Sequence, residues 1–108
     1  MDIRDCLVEL YKVCPGSGLP VTVNDDLHHA LVRRMKDHPE LDEIPNVILV
    51  KHDQHVPEAE GMRYNSYVMI LRAFGSAVVE SWVRSLPFKV APTLPDEYYQ
   101  ARMEVEKW

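Results

Sequence analysis

Five histidines fall within one 28-residue stretch of this 108-residue chain: His28, His29, His38, His52 and His55. Neutral imidazole is a common metal ligand, and two of them with a carboxylate make a workable site. His52-Asp53-Gln54-His55 puts three candidate donors into one short polar loop, and His28 or His29 could add a fourth. His52, His55 and His28 are therefore the metal-ligating candidates, and a divalent ion such as zinc is the cofactor they imply. The spacing follows no established metal motif, since HExxH and CxxC are both absent. Solvated loop histidines are the simpler reading, and under it the chain needs no cofactor.

Nucleophilic chemistry finds less support. Ser17 stands in Gly16-Ser17-Gly18, which is not the GxSxG elbow, and no strand precedes it. The same glycines lack the third member of a dinucleotide loop, and no GxxxxGK[ST] phosphate loop occurs. A turn after a helix accounts for Pro15 to Pro20. Cys6 and Cys14 fall eight positions apart on one expected helix. At 1.5 Å per residue their Cα atoms would stand about 12 Å apart, too far for a disulfide. Free thiols are thus expected, as in a reducing compartment. Carboxylates gather at Asp37, Glu40, Asp42 and Glu43, and again at Asp53, Glu58 and Glu60. Acid–base work would need a cleft with shifted pKa values. Without one these are solvated acidic loops, or an acidic face offered to a basic partner.

The elements that must position these groups can be read from periodicity. Ile3, Cys6, Leu7, Leu10, Tyr11 and Cys14 mark one face of a helix over 2–14, closed by Pro15-Gly16. Val21 to Val23 could form a short strand. Asn24 offers an N-cap to a second helix over 25–37, with Leu27, Ala30, Leu31 and Met35 as its stripe and Arg33, Arg34 and Lys36 at its end. Val47-Ile48-Leu49-Val50 is a continuous, β-branched run and reads as a strand buried on both faces. It needs a partner. Ser66–Arg72 is the expected one, followed by a helix from Ser76 that carries Val78, Trp82 and Leu86; a single buried helix over 64–86 is the alternative. Thr93 offers an N-cap to a last amphipathic helix whose stripe is Leu94, Tyr98, Ala101, Val105 and Trp108.

The expected architecture is α+β and mostly helical, with about four helices and a two- or three-stranded sheet; an all-α fold is the alternative. Residues 1–86 form the core, 87–95 a proline-rich connector and 96–108 the terminal helix, within one domain overall. At about 3.1 Å per residue the connector could span roughly 28 Å, enough to carry the last helix to a neighbour.

Composition narrows the function. Twelve Lys and Arg against 17 Asp and Glu leave a net charge of −5. A duplex-binding domain carries excess cations, so direct nucleic-acid binding is not expected. No leader segment and no membrane span is expected either. These observations favour a small cytoplasmic protein–protein interaction module, not an enzyme, and a homodimer. Its variant is an acidic inhibitor or adaptor for a basic protein surface, by analogy with short acidic proteins of phages and mobile elements. Tyr98, Tyr99, Val105 and Trp108 on the last helix, with Asp42 and Glu43, are the partner-binding candidates. The rival is a small metal-binding protein or metal-dependent enzyme built on the His52/His55 loop.

Overall fold

A computed structural model describes residues 2–87 and 94–107. Among them run α1 (Ile3–Tyr11), β1 (Asp26–His29), a 3-10 turn (Pro39–Leu41), β2 (Val47–Val50), α2 (His52–His55), α3 (Met62–Phe74), α4 (Ser76–Ser85) and α5 (Asp96–Glu106). The two strands pair antiparallel. This is the α+β, mostly helical class expected, with two strands among the described residues; the all-α alternative falls.

β2 sits at the centre. Its four residues are all buried, with α1 packed against it. A strand apolar on both faces must be covered on both, which is why the continuous run 47–50 carries no alternation. Its partner is β1 and not Ser66–Arg72. The register sets Asp26 against Val50, Leu27 against Leu49, His28 against Ile48 and His29 against Val47. The helix expected over 25–37 is therefore absent, and a strand and an irregular segment stand in its place. Helix propensity yields here because the buried N–H and C=O groups of β2 require a neighbouring strand.

A single side chain holds the segment after β1. Asn46 is fully buried. Its Oδ1 accepts from the backbone N–H of Leu31 (2.9 Å) and Val32 (2.7 Å), while its Nδ2 donates to the carbonyls of Val32 (2.9 Å) and Leu41 (2.8 Å). Three backbone groups that the expected helix would have satisfied internally, and the Leu41 carbonyl beyond it, are satisfied by one amide instead.

Other boundaries shift as well. α1 starts as expected, with Asp2 accepting from the Arg4 N–H at 2.9 Å. It ends at Tyr11 rather than at Cys14, where Lys12 takes a left-handed φ of 67°. The chain then folds back: Val13 bridges Pro20, and this lone bridge replaces the strand expected at Val21–Val23. Cys14 is buried, with the Lys51 N–H on its sulfur at 3.4 Å. Both thiols are free.

The stretch 64–86 holds two helices. Met62, Ser66 and Ile70, with Tyr67 and Leu71, bury one face of α3 at i, i+4 spacing, so the β-prone run Tyr67–Leu71 lies inside a helix. Gly75, at φ 83° and ψ 154°, separates α3 from α4. Val79 and Val83 carry the buried face of α4, Trp82 is half-buried, and Val78 is exposed. α5 packs on α3, with Leu94, Tyr98 and Ala101 buried in the chain's own core. The last helix thus folds back rather than reaching away. Thr93 and Trp108 lie outside the described residues. No helix among the described residues is long and apolar enough to cross a membrane.

Candidate functional site

Strand geometry puts Asp26 and His28 on the same face of β1, because alternate residues point the same way. α2 packs against β1 and brings two imidazoles to that face. Asp26 Oδ2 accepts from His52 Nδ1 at 2.7 Å and from His55 Nδ1 at 3.0 Å. An ionised carboxylate only accepts, so both rings must carry their proton on Nδ1. These two hydrogen bonds hold the Asp26 carboxyl below its ordinary pKa, against a smaller opposing effect of burial.

His28 meets His55 edge-on, with ring centroids 5.2 Å apart and planes at 72°. It is 9% exposed, and its Nε2 is buried without a hydrogen-bond partner among the described residues. Burial, aided by repulsion from His55, pushes its pKa down to about 4. His28 is therefore neutral at pH 7. Sequence spacing named His28, His52 and His55, and the fold does bring them together. It did not name Asp26, the residue that joins two of them.

These side chains border an open cleft of about 1030 Å³. One wall is β1, with Arg4 contributed by α1, Arg33 and Arg34 by the segment after β1, and Arg63 by α3. The protein has seven arginines, so this acidic chain places four of them in one concavity. The carboxylates lining the cleft all face partners inside the protein. Asp25 binds Lys51 at 2.9 Å, Asp26 the two histidines, Asp42 the His29 Nε2 at 2.6 Å, and Glu58 the Arg63 guanidinium through contacts of 3.1 and 3.2 Å. Arg4 donates to the backbone carbonyls of Val23 (3.2 Å) and Asp25. Arg33 and Arg34 are exposed and form no ion pair among the described residues. In the sequence they read as charges complementing a helix end, so their convergence with Arg4 depended on the strand that replaced that helix.

The candidates on the last helix have a different fate. Tyr98 is fully buried, donates its hydroxyl to Glu80 Oε2 at 2.8 Å, and stands edge-on to Tyr67. Arg102 binds the same carboxylate at 3.0 and 3.1 Å. Tyr98 is thereby engaged within its own chain. Val105 packs against the core, Tyr99 is 42% exposed, and Trp108 is outside the described residues. Asp42 and Glu43 are both exposed, with Asp42 bonded to His29.

Chemically, the Asp26–His52–His55 arrangement is a hydrogen-bonded clasp between β1 and α2. Among the described residues no group of three or more His, Cys, Asp or Glu side chains is arranged to hold a metal ion. Compared with protein-family models, with curated proteins and with solved structures, the chain matches none.

Proposed function

We propose that this chain is a cytoplasmic, non-catalytic protein–protein interaction module. One observation carries the reading: a run of large apolar side chains left exposed around the end of α1. Leu10 (42%), Val13 (37%), Leu19 (57%) and Val23 (43%) fall within 14 residues, and the Val13–Pro20 bridge folds that segment back on itself. Isolated exposed apolar residues are ordinary, but four within 14 residues of sequence support a contact surface on this segment. Asp5 and Glu9, exposed on the same helix, give the ridge an acidic border suited to a partner with basic groups, as an inhibitor or adaptor would need. This reading places the partner surface on α1 and the turn after it, because Tyr98, Ala101 and Val105 of the last helix pack on the chain's own core.

The first occupant to test is a second copy of the chain. Light scattering on the full chain should give a dimer mass, and Leu10→Glu with Leu19→Glu should give a monomer with an unchanged circular dichroism spectrum. A wild-type protein that stays monomeric at millimolar concentration removes the homodimer. If the double variant also captures every protein the wild type captures, the ridge has no interaction role.

The second reading is metal binding. It rests on His28 and His55, which stand together with the His28 Nε2 unpartnered and the His55 Nδ1 oriented by Asp26, as metal-bound imidazoles commonly are by a carboxylate. Zinc titration decides it: a saturable rise in melting temperature that His28→Gln abolishes would favour this reading over the first.

A further inference from the structure

We propose that the arginine-edged cleft beside β1 is a binding site for a small organic polyanion carrying two or more phosphate groups. In a protein of net charge −5, cations should be dispersed among a majority of acids, yet Arg4, Arg33 and Arg34 line one cleft while forming no ion pair among the described residues. The carboxylates of the same walls are turned to Lys51, Arg63 and the histidines. What remains for a ligand is a set of guanidinium N–H groups from two separate elements.

The chemistry of those groups selects the ligand. A guanidinium offers a planar fork of donors that matches phosphate oxygens in pairs. Arg33 and Arg34 are adjacent in sequence, and Arg4 comes from α1, so a ligand touching all three must present more than one anionic group. The second observation is independent of charge. His28 lines the same cleft, is nine-tenths buried, stays neutral, and has an Nε2 with no hydrogen-bond partner among the described residues. Buried polar groups are rarely left so, and this one lies just beneath the cleft wall, closed to solvent until that wall shifts. A cleft of about 1030 Å³ admits a ligand of nucleotide size. The Asn46 hydrogen bonds to Leu31 and Val32 hold the backbone immediately before Arg33, so the segment that carries Arg33 and Arg34 is anchored before anything binds.

Titration calorimetry on the full chain at low salt tests the site, with inorganic pyrophosphate and a nucleoside diphosphate as probes. The expected result is saturable one-to-one binding that weakens as salt is raised. Arg33→Ala with Arg34→Ala should weaken it about tenfold or more, given the strength of charge-assisted hydrogen bonds. Arg84→Ala, an exposed arginine on α4, should leave it unchanged. Both sets of changes are at exposed positions, so circular dichroism should show folded protein throughout. Three results would overturn the proposal: no saturable binding of either probe by the wild type, equal weakening in the Arg84 variant, or undiminished binding in the double variant. Tighter binding of a short single-stranded oligonucleotide than of either probe would also overturn it, in favour of a nucleic-acid groove. Because the ridge at Leu10 and Leu19 is left intact in these variants, loss of phosphate binding with the dimer mass retained separates this site from the interaction surface.

Discussion

Asn46→Ala should cost this domain about 3–5 kcal/mol, far more than its single lost side chain suggests. The reasoning is additive over partners. Four hydrogen bonds of 2.7–2.9 Å run from one fully buried amide to two backbone N–H groups and two carbonyls. Each contributes about 1 kcal/mol net, and the stranded partners add desolvation cost wherever water cannot reach them. A domain of this size has about 5–15 kcal/mol in all, so the variant should sit near the edge of folding. Urea unfolding would show a lowered midpoint with an unchanged m-value. Asn46→Asp tests the polarity of the arrangement. It keeps an acceptor for Leu31 and Val32 but turns a carboxylate oxygen toward the carbonyls of Val32 and Leu41. It should be destabilised at pH 7, with its carboxyl pKa raised above the unfolded value, so the folded state binds the proton more tightly. Its deficit relative to the wild type should then shrink as pH falls from 7 toward 4, the reverse of an ordinary carboxylate. A loss under about 1 kcal/mol for Asn46→Ala, or wild-type stability for Asn46→Asp at pH 7, would refute the account.

Three further outcomes are expected. His28 has a folded pKa of about 4 against an ordinary 6.5, so the unfolded chain binds its proton more strongly; stability should be full above pH 6.5 and fall by about 3 kcal/mol as pH drops through 4. His28→Gln should remove that slope, and identical slopes in the two proteins, compared by urea unfolding across the window, would contradict it. Gly75→Ala should cost about 1–3 kcal/mol through backbone strain alone, because nothing lies within 4 Å of the added Cβ while φ is 83°; a neutral result in thermal melts would mean the helix break tolerates an L-residue. Tyr98→Ala should cost about 3–5 kcal/mol, and truncation after Leu86 should unfold the chain, since Leu94 just before α5 and Tyr98 and Ala101 on it belong to the core; a truncated chain with a native circular dichroism spectrum would detach α5 from it.

How much was legible in the sequence depended on how local each signal was. α1 and β2 were legible because each is written in nearby residues: a periodic apolar stripe, and an unbroken apolar run. The identity of β2's partner was not local. Asp26–His29 carries weak strand propensity and a good helix start, and only its pairing with β2 decides otherwise. Tyr67–Leu71 misled in the opposite sense, since β-branched and aromatic residues also fill a buried helix face when they recur at i, i+4. The last helix was legible as a helix, but not the side on which it docks, because an apolar stripe does not say which surface covers it.

The same substitution of strand for helix determines the site. On a helix, Asp26 and His28 would lie about 200° apart and could not serve one face. On β1 they share a face, so Asp26 can bind His52 and His55 while His28 packs against His55. The backbone beyond β1, no longer helical, loses its internal hydrogen bonds and depends on Asn46, which leaves Arg33 and Arg34 on a held segment across from Arg4 rather than spread around a cylinder. The histidine clasp and the arginine wall therefore have one origin: β2 is buried on both faces and must find a hydrogen-bonding neighbour, and the chain segment it takes is the one that carries both sets of side chains.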